Sequence, residues 1–192
     1  MKKFLLILFV FMCVAQWLVP AKMIYDNEVV VTEGLLYKFR TQPVDPSDPF
    51  RGKYVTLSFD ANAIVLPDSG DWVAGEEAFV SFGEDSLGFA TPASISREEP
   101  DAPAFLKTTV NYVENYSDSP YIINFTLPFD RFYLEESKAS QAEQAYWQAQ
   151  RDSAQVAYGV VRIGKGQAVL TDVMINDKSI VELVKELNTT PE

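Results

Sequence analysis

The 192-residue sequence contains no histidine, and its single cysteine, Cys13, lies in an apolar N-terminal stretch. Without an imidazole, the chain cannot build a Ser-His-Asp or Cys-His nucleophile system from its own residues. Zinc sites draw chiefly on histidine and cysteine, and disulfide or thiol redox chemistry needs a second cysteine. We therefore expect no metal and no cofactor, and the absences favour a protein that is not an enzyme.

Positive charge is also scarce, because 16 Lys and Arg residues face 27 Asp and Glu residues, for a formal net charge of −11. Such a surface repels phosphate backbones, so nucleic acid is not an expected partner. It also disfavours flat adhesion to anionic lipid headgroups, so any membrane attachment has to come from the apolar segment. Hydrophobic residues make up 47% of the chain, which is enough to build a core.

Residues 4–19 form that apolar segment, and Lys2 and Lys3 precede it. Positive charge before such a run orients its N-terminus to the cytoplasm, which would place the rest of the chain outside. The run is short of the roughly 20 residues that a spanning helix needs, but extending it to Tyr25 supplies the missing length. The segment predicts attachment to the cytoplasmic membrane by one N-terminal helix.

This interpretation divides the chain into two predicted parts. Residues 1–25 are predicted to be a signal-anchor or transmembrane segment, and residues 26–192 a single extracytoplasmic domain, periplasmic or extracellular. The small residues around Ala21 also fit a signal-peptide cleavage site, so secretion after cleavage is the alternative.

Most of the remaining sequence has the pattern of β-strands. Between Lys53 and Phe59, apolar Val55 and Leu57 alternate with polar residues, which is typical of a half-buried strand. Turn signals bound other apolar runs in the same way. The further predicted strands cover residues 35–39, 78–82, 87–90, 106–112, 121–127, 156–163 and 167–175.

Between Leu134 and Gln155 the spacing of apolar residues changes to the 3.6-residue period of a helix. Ser179 and Glu182 then have the spacing of a capping box that opens a short C-terminal helix. Together with the strands, these elements predict an α+β fold, mainly antiparallel sheet, with one long helix packed on it and an N-terminal membrane helix. The predicted buried stripe of the long helix consists of Ala139, Ala142, Ala145, Tyr146, Ala149 and Ser153.

Three segments contain the residues that carry a family resemblance: residues 43–46 (PVDP), 48–59 (DPFRGKYVTLSF) and 127–136 (LPFDRFYLEE). Together they resemble the GDYXXLXY family, which is named for Gly-Asp-Tyr-x-x-Leu-x-Tyr. The sequence departs from the name at Lys53, which replaces the Asp, and at Phe59, which replaces the last Tyr. The resemblance implies a membrane-anchored bacterial protein of unknown activity, often encoded beside multi-pass membrane proteins.

Juxtaposed aromatic residues and charges in these segments are typical of protein interfaces. We therefore predict an interaction or assembly module whose partner is a multi-pass membrane protein or another envelope protein. Arg51 also has a simpler interpretation, as the ion-pair partner of a nearby aspartate at the entry to the strand. The predicted interaction and motif residues are Asp45, Asp48, Arg51, Gly52, Tyr54, Leu57, Phe59, Asp130, Arg131, Tyr133 and Glu136.

The alternative function is a carboxylate-dependent hydrolase acting on an envelope polymer, with Glu136, Glu143 and Asp130 as candidate catalytic residues. Glu136 and Glu143 share a helix face with Trp147, the combination found in sugar-cleaving grooves. Seven residues rise about 10.5 Å along a helix, however, which exceeds the roughly 5 to 9.5 Å between such acid and base groups. A hydrolase requires a cleft at Glu136, whereas an interaction module predicts a flat or convex surface. A small-ligand sensor is a third possibility.

Overall fold

The computed structural model describes residues 2–42, 54–68, 70–115, 120–151 and 155–189. This part of the chain forms three helices and twelve strands, and the predicted α+β class is confirmed. In chain order the elements are α1 Lys2–Glu33, β1 Leu35–Gln42, β2 Tyr54–Thr56, β3 Ser58–Phe59, β4 Ala63–Leu66, β5 Glu77–Glu84, β6 Ala90–Ser96, β7 Leu106–Glu114, β8 Tyr121–Phe125, β9 Arg131–Tyr133, α2 Glu136–Arg151, β10 Ala157–Gly164, β11 Gln167–Ile175, β12 Lys178–Ser179 and α3 Ile180–Thr189.

The strands form two five-stranded antiparallel sheets and a separate two-stranded ribbon. The first sheet has the order β12-β11-β10-β1-β3, the second has the order β4-β8-β7-β5-β6, and β2 pairs with β9. Two tight turns join neighbours in the first sheet. Lys165 and Gly166 connect β10 to β11 with φ of 49° and 85°, and Asn176 and Asp177 connect β11 to β12 with φ of 51° and 61°. Positive φ at both central residues gives the turn a twist that matches the flanking strands.

The buried faces of the two sheets share one hydrophobic core. Phe39 of the first sheet is fully buried, and its ring lies 5.1 Å from that of Phe82 in the second sheet, in an edge-to-face arrangement. The ring of Phe129, from the segment before the ribbon, lies 5.0 Å from Phe39 on another side. These rings therefore join the ribbon segment to both sheets. Burying one such side chain stabilises the fold by about 1.5–3 kcal/mol.

Helix α2 covers the end of this core. Four residues of its predicted stripe, Ala139, Ala142, Tyr146 and Ala149, are buried, and Ala145 is half-buried. The helix packs against β2, β10 and α3. Gln150 donates hydrogen bonds to the hydroxyl oxygens of Thr41 and Tyr146, at 2.7 Å and 2.8 Å. The bond to Thr41 attaches the C-terminal half of α2 to the end of β1.

Helix α1 is long and apolar enough to cross a membrane, and its apolar window is not buried in the protein. A signal sequence has the same properties. The helix continues past the predicted segment to Glu33. There the Gly34 N–H donates to the Val30 carbonyl at 2.9 Å, and Arg162 of β10 donates to the Gly34 carbonyl at 3.0 Å. A side chain at Gly34 would collide with that Val30 carbonyl, so glycine is required at the junction.

Two strand predictions needed correction, and several strands were not predicted. The predicted strand at residues 53–59 is two strands, because β2 pairs with β9 whereas β3 pairs with β1. The predicted strand at 87–90 is mostly a turn, since the Asp85 carboxylate accepts hydrogen bonds from the Leu87 and Phe89 N–H groups at 2.8 Å and 2.9 Å. Strand β6 was not predicted beyond Ala90, and the short strands β4, β9 and β12 were not predicted at all. The pairing of β4 and β9 is set by distant parts of the chain.

The predicted helix at 134–155 is shorter than expected. Helix α2 runs from Glu136 to Arg151, Gln155 is not helical, and Ser153 lies outside the described residues. At α3 the predicted N-terminal cap is present, because the Ser179 hydroxyl accepts a hydrogen bond from the Val181 N–H at 3.2 Å.

Candidate functional site

The β2–β9 ribbon brings together residues from two of the segments that carry the family resemblance. Tyr54 lies opposite Tyr133, Val55 opposite Phe132, and Thr56 opposite Arg131. Because side chains alternate along a strand, this register assigns Tyr54, Arg131 and Tyr133 to one face. On the other face, Val55 is fully buried and Phe132 packs against the core.

The outer face of the ribbon carries an aromatic and cationic patch, which we call the tyrosine–arginine patch and define as Tyr54, Arg131 and Tyr133. The two tyrosine rings lie 5.6 Å apart, edge to face. The Arg131 guanidinium carbon lies 5.2 Å from the centre of the Tyr54 ring, and Tyr133 is 66% exposed. A hydrogen bond with Tyr133, together with the nearby Asp130 carboxylate, raises the pKa of Arg131, so the patch retains its positive charge.

One further backbone hydrogen bond continues the ribbon beyond its paired residues. The Leu57 N–H, between β2 and β3, donates to the Asp130 carbonyl at 2.8 Å. The Asp130 side chain itself is exposed, with a carboxylate oxygen 3.7 Å from Arg131 Nε. Asp130 therefore fixes the start of β9 through its backbone, and its carboxylate borders the patch.

Leu57 and Phe59, two further predicted interaction residues, lie in the core. Leu57 is 3% exposed and Phe59 is 2% exposed. The Phe59 ring lies 5.9 Å from Phe39 and 5.3 Å from Phe129. The tip of the ring also lies against Gly159, where an added Cβ would be 3.0 Å from Phe59 Cε1. These two positions of the motif support the fold and are not available to a partner.

Several predicted site residues cannot be placed in this surface. Asp45, Asp48, Arg51 and Gly52 lie outside the described residues. Glu136 is the first residue of α2, and its side chain is likewise not described. The predicted pairing of Arg51 with an aspartate therefore stays a prediction.

The candidate hydrolase carboxylates are in dissimilar environments. Glu143 is half-buried on α2, and this burial raises its pKa, whereas Asp130 is exposed. Trp147, one helical turn further on, packs against the core. Two cavities of about 500 Å³ and 540 Å³ lie elsewhere, one beside α1 and one between α2 and α3, and neither is lined by Asp130 or Glu143. Within the described residues, no group of three or more Asp, Glu or Cys side chains is arranged to hold a metal ion.

A second charged cluster, on the outer face of the first sheet, has no recognisable signal in the sequence. The Arg40 guanidinium lies over the Phe89 ring at 4.4 Å and has a nitrogen 3.7 Å from the Asp85 carboxylate. Next to it, the Tyr158 hydroxyl donates to Asp177 at 2.5 Å, and burial followed by this bond raises the pKa of Tyr158 to about 12. The residues are far apart in sequence, so only the folded sheet reveals the cluster.

The fold and the patch together define a class of protein: an α+β domain that follows one apolar helix and exposes an aromatic and cationic ribbon. A family model described as GDYXXLXY protein matches residues 16–173, which is well over half of the chain. The chain belongs to this family, as its motif residues predicted. The search of curated proteins and the search of solved structures each found no match.

Proposed function

We propose that the chain is a membrane-anchored interaction module that docks on an integral membrane protein through the tyrosine–arginine patch. The observation that carries this proposal is the convergence of two separate family segments on one exposed ribbon. Tyr54 belongs to the first segment, whereas Arg131 and Tyr133 belong to the second. Among the described residues of these segments, neither has an exposed aromatic cluster by itself.

The chemistry of the patch suits a protein partner. Tyrosine and arginine are enriched in interfaces and among the residues that contribute most to binding energy. The two rings and the guanidinium already contact one another, and a backbone ladder holds them. Little side-chain freedom is therefore lost on docking, which favours affinity. Because Arg131 keeps its charge, the complementary surface on the partner would offer carboxylates or aromatic faces.

Membrane attachment through α1 supports a partner in the same membrane. We propose that α1 is retained as a span and that Lys2 and Lys3 keep its N-terminus in the cytoplasm, so that the domain lies outside. A domain held at the membrane surface encounters integral proteins at high local concentration.

The test is cross-linking in native membranes followed by capture of the full-length protein. The variant carries Tyr133→Ala and Arg131→Ala, and Tyr112→Ala is the control because Tyr112 is an exposed tyrosine on β7, 51% accessible and away from the ribbon. We expect one integral membrane protein to be captured by the original and control chains but lost from the double variant. Equal capture by all three chains would show that the partner does not bind the tyrosine–arginine patch.

One observation favours the second candidate, a carboxylate-dependent hydrolase. The pKa of Glu143 is raised by burial, as it is for a general acid. The test is hydrolysis of purified cell-envelope glycan by the full-length protein and by Glu143→Gln. A hydrolase would lose activity in the variant, whereas no turnover by either chain would eliminate this function.

A further inference from the structure

Helix α1 carries one strongly polar side chain inside its apolar segment. Between Lys3 and Lys22, Gln16 is the only residue whose side chain has an amide, a hydroxyl group or a charge. This side chain is exposed and makes no hydrogen bond within the described part of the chain. With α1 retained as a span, as in the proposed function on which this inference rests, the Gln16 amide faces the interior of the bilayer.

The depth of Gln16 keeps its amide away from water. Residues 4–21 rise about 27 Å as a helix, close to the roughly 30 Å of a hydrocarbon core. Gln16 lies about 9 Å along this helix from Lys22. The long side chain of Lys22 can extend to the headgroups, but a glutamine side chain is too short to do so from this depth. A polar group without a hydrogen-bond partner is strongly disfavoured there.

Pro20 affects a second polar group of the same residue. Pro20 lies inside α1 and has no N–H, so it cannot donate the usual helical hydrogen bond to the Gln16 carbonyl four residues earlier. In membrane proteins a neighbouring helix is one of the means by which such a carbonyl is satisfied. The side chain and the backbone of Gln16 therefore both favour a second helix at this depth.

Gln16 also distinguishes one face of a helix that is otherwise apolar on all sides. Phe9, Cys13, Gln16 and Pro20 are spaced by four, three and four residues, so they lie within about 60° of one another around the helix. This is the spacing of the seam of a coiled coil, in which a single polar position fixes the register. The domain does not cover this part of α1, because the apolar window is not buried.

We propose that two copies of this chain pair in parallel in the membrane through this face of α1, with their Gln16 side chains hydrogen-bonded to each other. A second copy fits because its α1 crosses the membrane in the same direction and has its own Gln16 at the same depth. A carboxamide is both a donor and an acceptor, so Nε2 of one copy donates to Oε1 of the other. The net charge of −11 disfavours contact between the two domains, which confines the pairing to α1.

The test measures the association of full-length chains in phosphatidylcholine vesicles. Chains labelled at the C-terminus with a donor or an acceptor dye are mixed at increasing protein-to-lipid ratios, and energy transfer is recorded. We expect the ratio at half-maximal transfer to rise about tenfold in Gln16→Leu, because the interhelical hydrogen bonds are lost. Gln16→Asn retains the carboxamide and should remain close to the original chain. Leu18→Ala, on the opposite face of α1, is the matched control and should leave the ratio unchanged.

The position of the pairing face has its own test, because Cys13 is the only cysteine of the chain. A disulfide requires Cα atoms within about 7 Å, which a parallel pair provides between equivalent residues of its seam. Oxidation in the vesicles should therefore link Cys13 to Cys13 of the second copy. Moving the thiol to the opposite face, with Cys13→Ala and Phe11→Cys, should abolish the cross-link.

Three results would overturn the inference: no energy transfer from the original chain above that of random encounter, an unchanged ratio in Gln16→Leu, or equal cross-linking from positions 11 and 13. Failure of membrane attachment gives a different result, because the chains would not float with the vesicles or their intact mass would show an N-terminus after residue 21. The Tyr133 and Arg131 double variant should retain energy transfer. Its loss there would assign the contact between copies to the tyrosine–arginine patch instead of to α1.

Discussion

The two halves of the family motif perform different tasks although they are adjacent in sequence. Leu57 and Phe59 point into the core and are almost inaccessible. Tyr54 points to the opposite side, where it meets Arg131 and Tyr133 across the ribbon. The same period of two that buries one half exposes the other. A short motif can therefore specify a fold and a surface together, and only the exposed half is available for recognition.

The largest effect should come from breaking the buried half. We expect Phe59→Ala to lower the free energy of unfolding by about 3–5 kcal/mol, because it leaves a cavity between Phe39 and Phe129. The measurement is a urea titration of the full-length protein in detergent, followed by tryptophan fluorescence. Thr56→Ala, which removes an exposed side chain from the same motif, is the control. A change below about 1 kcal/mol for Phe59→Ala would contradict the assignment.

A smaller effect should come from crowding the same ring from β10, which lies two strands away from β3 in the first sheet. In Gly159→Ala the new Cβ would lie 2.9 Å from Leu170 Cδ1 and 3.0 Å from Phe59 Cε1. Overpacking of this kind costs about 1–3 kcal/mol. Gly83→Ala is a matched control in another strand, because its Cβ would meet only Ala93, at 3.8 Å. In the same urea titration, Gly159→Ala should have a lower midpoint than Gly83→Ala. Equal midpoints would mean that the side chains around Phe59 rearrange to accommodate the new methyl group.

The comparison extends to tyrosines, since Tyr158 is buried whereas Tyr133 is exposed. Burial and the Asp177 carboxylate raise the pKa of Tyr158 to about 12, above the value near 10 of a tyrosine in an unfolded chain. The stability that depends on this protonated hydroxyl is complete below about pH 10 and is lost as the pH rises from 10 to 12. Tyr158→Phe should remove this part of the alkaline loss of stability, measured as the urea midpoint at pH 9 and 11.5. An unchanged alkaline slope would contradict it.

The smallest effect on stability should come from the exposed half. Tyr133→Ala removes a side chain that is mostly in solvent, so we expect less than about 1 kcal/mol in the urea titration. Capture of the membrane partner should nevertheless fall sharply, because the variant removes an exposed ring of the proposed docking surface. It also removes the edge-to-face contact that holds the Tyr54 ring. A large loss of stability would show that the ribbon is structural on both faces.

Local pattern was sufficient to predict much of this fold. Alternation placed Val55, Leu57 and Phe59 on one buried face, and helical spacing identified the stripe of α2 that packs on the core. The division of that strand into β2 and β3 could not be read from the sequence, because each piece takes its partner from a different region. The three-residue strand β9 is too short for a period to be visible.

The candidate sites show the same limit. The motif identified Tyr54, Arg131 and Tyr133 as residues of interest, but only the register shows that they share a face. The cavity beside α1 joins residues 22–34 to residues 164–167. No local pattern connects segments so far apart, and their charges resemble ordinary solvent-exposed residues until the chain is folded.

The Gly34 junction has a consequence for how this protein would meet a partner. One residue separates the end of α1 from the start of β1, and backbone and Arg162 hydrogen bonds hold it on both sides. A flexible linker would let the domain sweep a volume that grows with its length. With α1 as a membrane span, as we propose, the absence of a linker would keep the ribbon at a constant height above the bilayer and limit its motion to lateral diffusion and rotation about the membrane normal. A partner must then present its complementary surface at that same height.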